Sequence, residues 1–445
     1  MRMSTEKKRL VILGGGGFRV PLVYGALLNP SSPIGSVVLH DVDAGRLAAI
    51  AHVLHAQAAT SPTAPSIETT TDLTEALTGA DFVFSAIRVH GLEGRVIDER
   101  VALGEGMLGQ ETVGAGGVSY GLRTVPVADA IARRIKLVAP AAWVINFTNP
   151  AGLVTEAMAA HLGDRVIGIC DSPSALARRV VRALGVPAGA ASVDYAGLNH
   201  LGWLTGVRHD GVDLLPQLLS SPGKVESFEE GRLFGAARLR ELGAVPNEYL
   251  HYYYDHAALV KAELAAPETR GEFLLKQQRE CYAVLASHSS SPLEAWNAAR
   301  RHRDATYMAM EGLGERDDAE GGGYEDVALA LMLAIARDTP TSLILNVRNQ
   351  GALPLLDDHA VVEVPCAVDG SGARPLGGAS VPTHGAELVK RLKATERAVL
   401  EAAASGSRAV AVRAMASHPL IDSVPVARKL ITGYQANFPE LAYLR

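Results

Sequence analysis

Short apolar runs alternate with helically spaced apolar residues through the first half of the chain, a pattern that predicts a parallel, doubly wound sheet. Arg9-Leu10-Val11-Ile12-Leu13 is rich in β-branched residues and stops at four consecutive glycines, Gly14 to Gly17. Apolar residues over 18–28 then recur at helical spacing. A second strand, Ser36-Val37-Val38-Leu39-His40-Asp41, ends in an acid, and a helix is expected over 45–59 with strands over 66–71 and 81–87. Residues 120–138 read as helix. Trp143-Val144-Ile145-Asn146 begins a strand that ends in amides at Asn149-Pro150, and Val166-Ile167-Gly168-Ile169-Cys170-Asp171 is a buried strand running into a polar turn, with a helix over 174–184. The stretch 88–117 is charged and glycine-rich and reads as an irregular, substrate-facing loop.

Beyond His200 the alternation weakens. Residues 203–212 predict an antiparallel hairpin about Asp210-Gly211, 220–231 a polar loop, and 262–287 and 324–336 helices. Strands are expected at 343–349 and 360–365, long helices over 386–416, and a break at Gly321-Gly322-Gly323. Tyr249, Tyr252, Tyr253 and Tyr254 fall together as an aromatic core stripe would. There is no internal repeat and no long low-complexity linker. The fold class is therefore α/β: an N-terminal Rossmann-like doubly wound sheet over 1–198, with an intimately packed C-terminal α+β domain over 199–445. A chain of 445 residues is long for a single core.

Composition narrows the classes. A formal charge of −6 and a pI near 6.2 argue against general nucleic-acid binding, which needs a basic face. Aromatic content of 5% gives no reason to expect a carbohydrate-stacking surface. Cys170, Cys281 and Cys366 are far apart and form no CxxC or even framework, as suits a reducing compartment. The charged start and the short run broken by glycines read as neither signal peptide nor membrane span. A cytoplasmic protein with no membrane partner is expected.

The chemistry begins at the glycines. Strand, glycine turn and helix are the context of a dinucleotide fingerprint, in which backbone N–H groups and a helix N-terminus meet a pyrophosphate. Arg19 stands where the third glycine of GxGxxG would be, and its guanidinium suits phosphate instead. Asp41, after the second strand, suits the adenosine ribose and favours NAD, with Asp43 near enough to take the same role. Cys170 and His200 are a soft and a borderline donor for a divalent metal if the fold joins them. They equally suit a buried structural thiol and a hydrogen-bonded core histidine, and spacing does not choose.

Together the motifs GGGGFRVP, ADFVFSAIR, LGQET…GGVSYGLR, NFTNPAG, GICDSP, GLNHLGW, PNEYLHYYY, ETRGE and NVRNQGAL make the chain similar to glycoside hydrolase family 4, the NAD- and manganese-dependent 6-phosphoglycosidases. The resemblance covers nearly the whole chain. It implies a cofactor site at Gly14, Gly15, Gly16, Gly17, Phe18, Arg19 and Asp41, and metal ligands Cys170 and His200 for Mn2+ or another divalent ion. It also implies catalytic positions Tyr249, as general base, and Asp171, and substrate contacts Arg95, Asn149 and Arg270, the last at the sugar 6-phosphate. The implied reaction oxidises the sugar C3 hydroxyl with NAD, removes the acidified C2 proton, expels the glycosidic oxygen, adds water and returns the hydride, a known exception to two-carboxylate glycosidases. The implied substrate is a phosphorylated disaccharide or aryl glucoside, and a homo-oligomer (dimer or tetramer) is expected. PNEYLHYYY and TRGE resemble the β-acting branch, whereas Asp171 resembles α-acting members. A 6-phospho-β-glucosidase is the first expectation and a 6-phospho-α-glucosidase the second. Readings from other classes are an NAD-dependent 2-hydroxyacid dehydrogenase, which shares the nucleotide half, and a non-catalytic NAD-binding protein.

Overall fold

In the computed structural model, described for residues 7–287, 291–305, 323–378 and 380–445, the apolar runs of the first half form β1 (Lys8–Leu13), β2 (Ile34–His40), β3 (Ser66–Thr70), β4 (Phe82–Ser85), β5 (Trp143–Asn146) and β6 (Val166–Gly168). All are parallel, in the spatial order β3-β2-β1-β4-β5-β6. Helices cover both faces, which is why Leu10, Val11, Ile12 and Leu13 are all buried and the run reads as continuously apolar. The strand order reverses between β1 and β4, so the loops leaving their carboxyl ends diverge and open a crevice.

The sheet continues into the second half through β7 (Ser192–Leu198), β8 (Leu201–His209), β9 (Val212–Asp213), β10 (Val245–Pro246), β11 (Thr341–Arg348), β12 (Val361–Asp369) and β13 (Gly372–Pro375). β11 pairs antiparallel with β6, and β12, β7, β8 and β10 follow outward, making one 13-stranded sheet with β9 and β13 attached at its side. The Rossmann-like half and the α+β half are thus packed through shared strands. β7, which lies within 1–198, pairs antiparallel with β8 and β12, so the antiparallel part of the sheet draws on both sides of residue 198. The hairpin at Asp210-Gly211 is present, with φ of +51° and +79° as a primed turn requires.

Four local expectations need correction. Residues 88–117 are largely ordered helix: Gly91–Gly104 is helical, and the next helix runs Gly114–Val138, starting before residue 120. The first was hidden because its buried face carries Gly94, Asp98 and Glu99 before the apolar pair Ala102 and Leu103. The second begins in glycines because a Cβ at Gly116 or Gly117 would come within 2.1 Å of Gln110 O or 2.4 Å of Thr112 O. The single helix expected over 262–287 is two, His256–Ala265 and Arg270–Ser287. Pro267 interrupts them, and Thr269 and Glu272 start the second as a capping box, Thr269 N donating to Glu272 Oε2 (2.8 Å) and Glu272 N to Thr269 Oγ1 (3.3 Å). The polar loop at 220–231 contains the short helix Pro222–Val225 and the start of Glu229–Phe234. Of the glycine break, Gly321 and Gly322 lie outside the described residues, and Gly323 precedes the helix Tyr324–Arg337. The helix Pro292–Ala305 had no counterpart in the sequence reading.

Asp98 is paired by Arg123 from the helix Gly114–Val138, whose Nη1 donates at 2.9 Å. Both side chains are buried, and the Arg123 guanidinium lies 4.8 Å from the Tyr120 ring and 4.4 Å from that of Phe438. Removing one partner of such a pair strands the other charge in low dielectric. Arg123→Ala is expected to cost about 3–5 kcal/mol in urea unfolding. Arg279→Ala, which breaks an exposed pair with Glu93, is expected to cost under about 1 kcal/mol.

Candidate active site

β1 ends at Leu13, and the chain turns at once. Gly14 has φ +80°, and a Cβ there would meet Ala86 O at 2.6 Å. Gly14 N and Gly15 N both donate to His40 O (3.0 and 2.8 Å), fastening the loop to the end of β2. Asp41 follows β2 directly, and its Oδ2 accepts from Gly16 N at 2.9 Å. Asp43, the other acid left open by the sequence, caps the helix Ala44–Ala58 by accepting from Arg46 N at 3.0 Å. Phe18 is buried against Trp296, whose Nε1 donates to Phe18 O at 2.8 Å. Arg19 lies with its guanidinium 5.3 Å from the Tyr324 ring.

Cys170 and Asp171 stand just past β6, where a helix starts at Ser172. Asn199 and His200 form the turn between β7 and β8, with His200 at φ +61°. The turn is tied down behind the site by Glu363 of β12. Its Oε1 accepts from Asn199 Nδ2 (3.2 Å) and Asn346 Nδ2 (2.8 Å), and its Oε2 from the Tyr195 hydroxyl (3.0 Å). Burial pushes the Glu363 carboxyl up to about 7. Burial also pulls the His200 imidazole down to about 4, so at neutral pH it is neutral, the form that binds metals. Its Nδ1 hydrogen-bonds Thr112 Oγ1 at 3.1 Å, which directs Nε2 to any other ligand.

The tyrosine cluster divides. Tyr249 is the middle residue of the short 3-10 turn Glu248–Leu250, capped by Asn247 Oδ1, which accepts from Tyr249 N at 3.0 Å, and its ring stacks on His200 at 3.6 Å and 3°. Tyr252 also faces the cavity. Tyr253 instead stacks on His418, and the Tyr254 hydroxyl accepts from Trp203 Nε1 at 3.0 Å. The core-stripe expectation holds in part: Tyr252 is buried with Leu108, Val113 and Leu420, and Tyr253 and Tyr254 are half-buried.

On the opposite wall, Arg95 donates through Nε to Glu99 (2.6 Å) and through Nη1 to Glu111 (2.8 Å). Glu111 also meets Arg88 at 2.7 Å. Glu99 Oε2 accepts from Gly271 N at 2.8 Å, which anchors the start of the helix that carries Arg270. All site residues singled out in the sequence line one cavity of about 1270 Å³, except Gly15 and Gly16, which pack on Leu39 and Arg46. Asn149 lines it too, and among the described residues its buried Oδ1 has no hydrogen-bond partner. The sequence reading missed Glu363 and Glu111. A glutamate inside the run Val361-Val362-Glu363-Val364 was the available signal for the first. Glu111 lies in a quoted motif but gave no sign of its two arginines.

Comparison with known proteins fits this geometry. The model of the family 4 glycosyl hydrolases matches residues 9–186, and that of the family 4 glycosyl hydrolase C-terminal domain matches 195–421. The chain belongs to glycosyl hydrolase family 4. It is 31% identical over 440 residues to a probable 6-phospho-beta-glucosidase of Bacillus subtilis, covering 96% of this chain and 95% of the relative. A crystal structure of a 6-phospho-alpha-glucosidase from gut microorganisms, in complex with NAD and Mn2+, superposes with a TM-score of 0.82 at 27% identity, over 99% of this chain and 100% of that one. The 6-phospho-beta glucosidase of Thermotoga maritima, with NAD and glucose-6-phosphate, also superposes with a TM-score of 0.82, at 25% identity over 97% and 98%.

The residues of this family 4 chain suit both groups found in those structures. The turn at Gly14, where a Cβ would meet Ala86 O at 2.6 Å, brings bare backbone to the cavity wall at the end of β1, as close approach of a dinucleotide requires. At Cys170, burial and the carboxylates of Glu363, Asp171 and Glu248 push the thiol well up, so a cation beside the sulfur would offset the surrounding negative charge and favour thiolate. Among the described residues no helix is long and apolar enough to cross a membrane. Replacing Glu363 by alanine would leave three buried donors unmatched, and a loss of roughly 3 kcal/mol is expected in guanidinium unfolding. Glu363→Gln retains an acceptor oxygen and is expected to lose less. Equal, negligible losses in both would show that Glu363 does not hold the turn.

Proposed function

We propose that the protein hydrolyses 6-phospho-β-glucosides, as phosphorylated disaccharides or aryl glucosides, to glucose 6-phosphate and an aglycone, using NAD and Mn2+ or another divalent metal. The observation that carries this reading is a single cavity lined at one end by the glycine loop and Asp41, and at the other by Cys170, His200 and Tyr249. The relatives' activities supply the substrate class. The β preference follows the β-acting relatives; Asp171 after the metal cysteine, together with the 27% identical α-acting structure, favours 6-phospho-α-glucosides as the second reading.

In this reading residues 1–198 hold the dinucleotide, through Gly14 to Gly17, Phe18 and Arg19, with Asp41 at its ribose. Residues 199–445 complete the substrate site. Cys170 and His200 would hold the metal through a thiolate and an imidazole, at the wall of the cavity where substrate oxygens can reach it. When bound, NAD and the ion supply reversible hydride acceptance at the sugar C3 and stabilisation of charge on the oxygens flanking C2. Arg270 grips the 6-phosphate through its planar fork, and Arg95, fixed by Glu99 and Glu111, borders the sugar. Asn149 Oδ1 accepts from a sugar hydroxyl, which satisfies its buried oxygen. The Tyr249 oxygen takes the C2 proton; stacking on His200 limits where its ring can lie. Asp171 is the acid available to the departing glycosidic oxygen. We further read the protein as cytoplasmic, supported by three free cysteines, and as a homo-oligomer, which light scattering would measure.

The deciding assay offers α- and β-nitrophenyl 6-phosphoglucosides with NAD, Mn2+ and reductant. Hydrolysis without net NADH is expected, faster on the β anomer. Stoichiometric NADH would instead fit the dehydrogenase reading, and bound nucleotide without turnover a binding protein. His200→Ala and Cys170→Ser are each expected to abolish turnover and to weaken Mn2+ binding in calorimetry while leaving the circular dichroism spectrum unchanged.

If Tyr249 is the base, hydrolysis in D2O places deuterium at C2 of the released glucose 6-phosphate, whereas direct displacement at C1 places none. Tyr249→Phe keeps the ring but loses the ionisable oxygen, so it is expected to bind NAD and metal yet lose turnover. Full activity in that variant would rule Tyr249 out as the base.

A further inference from the structure

Gln110 and Thr112 stand beside the His200 imidazole, in the loop that precedes the helix Gly114–Val138. Gln110 is buried, and its Oε1 accepts from two backbone groups, Thr112 N at 2.5 Å and Val113 N at 2.7 Å. Exchanging the amide oxygen and nitrogen would set NH2 donors against two N–H groups, so the carbonyl end is fixed at this place. Thr112 Oγ1 lies 3.1 Å from that same oxygen and 3.1 Å from His200 Nδ1.

A hydroxyl has one proton to give. The Gln110 oxygen can only accept, so its contact with Oγ1 takes the Thr112 proton. Oγ1 then meets His200 with its lone pairs, and Nδ1 must be the donor. The reverse arrangement donates the Thr112 proton to a bare Nδ1. It makes one hydrogen bond in place of two and leaves two oxygens facing each other at 3.1 Å with no proton between them. Stacking adds a separate restraint. The Tyr249 ring lies 3.6 Å from His200 and within 3° of parallel, which fixes the imidazole plane but not the edge that meets Thr112. A half-turn of the imidazole keeps the stack and loses the hydrogen bond, so the hydroxyl selects the edge.

We propose that Gln110 and Thr112 are positioning residues that set the tautomer of His200: Nδ1 carries the proton, and Nε2 offers its lone pair to a divalent cation. This rests on the reading of His200 as a metal ligand. An imidazole binds a cation through an unprotonated nitrogen, and the partner of its other ring nitrogen governs metal affinity by roughly 10- to 100-fold. The competing role is local, with Gln110 shaping the loop and Thr112 filling space.

The test uses the full chain, metal-free and then titrated with Mn2+, as wild type, Thr112→Val, Thr112→Ser and Gln110→Met. In metal-free protein carrying 15N-labelled histidine, two-bond 1H–15N correlations distinguish the tautomers, and the signal lost in His200→Gln identifies the residue. Wild-type His200 is expected to show a protonated Nδ1 and a bare Nε2. A protonated Nε2 would overturn the inference without recourse to any variant. Thr112→Val keeps the shape without the hydroxyl, and is expected to show mixed tautomers and to bind Mn2+ ~10- to 100-fold more weakly in calorimetry. Thr112→Ser restores the hydroxyl and is expected to recover most of that affinity. Thr112→Val at wild-type strength, or Thr112→Ser as weak as Thr112→Val, would reduce Thr112 to packing. Gln110→Met removes the acceptor and frees the Thr112 proton for Nδ1, so His200 is expected to move toward the Nε2–H form; an unchanged spectrum would strip Gln110 of the role. Failure of the functional reading looks different: wild type with a protonated Nδ1 that binds no Mn2+ would sink the metal assignment and the inference with it.

Discussion

His200 stands in left-handed backbone, at φ +61°, where a side chain crowds its own peptide and the cost is of order 1–2 kcal/mol. A lone turn would relax. What holds this one is the Glu363 carboxylate, which takes hydrogen bonds from Asn199 in the turn, Asn346 on β11 and Tyr195 on β7. Asn346 is also in register with Gly168 at the end of β6, two residues before Cys170. The distance between a thiol delivered by the parallel half and an imidazole delivered by the antiparallel half is therefore set through one buried carboxylate. Its burial is unfavourable, which is why the acid is pushed up to about 7, and three donors offset much of that cost.

The loop between the helices Gly91–Gly104 and Gly114–Val138 couples this centre to the substrate wall. Gln110 Oε1 accepts from Thr112 N (2.5 Å) and Val113 N (2.7 Å), and Gly114 N donates to His418 Nε2 at 3.2 Å. The loop is thereby shaped from within. Thr112 orients the His200 ring, and the adjacent Glu111 spans Arg88 and Arg95. Burial opposes the Glu111 charge, yet Arg88 and Arg95 hold it down at about 2, so the wall keeps its ion pairs across the physiological range. A disturbance at Thr112 would reach both the imidazole and the arginines.

The strands of the first half, the glycine turn and the acid after β2 were legible because each is a local pattern: an apolar run, a forced positive φ, a polar stop. The pair Cys170 and His200 was not local. Its residues lie on different strands, and only the tight turn at Asn199-His200 and the antiparallel β6–β11 seam bring them to one cavity. The helix Gly91–Gly104 was misread for a related reason. Two of its buried positions are Asp98 and Glu99, whose partners Arg123 and Arg95 become visible only after folding, so the apolar spacing is interrupted where a helix would need it. Arg270 was placed in the substrate site by family resemblance alone.

The seam explains why the chemistry falls at Cys170 and not at another strand end. β6 would be the edge strand of a six-stranded parallel sheet, with its backbone groups open on one side. The antiparallel β11 closes that edge and carries the second half onto the same sheet, so the loop after β6 has protein on both sides. Cysteine and aspartate placed there are shielded from bulk water but still face the crevice that opens between β1 and β4. A loop on a free edge would be wet and mobile. One in the middle of the parallel sheet would have no second half to supply an imidazole. Only at the junction of parallel and antiparallel strands do a dinucleotide-type crevice and a donor from another domain border the same space.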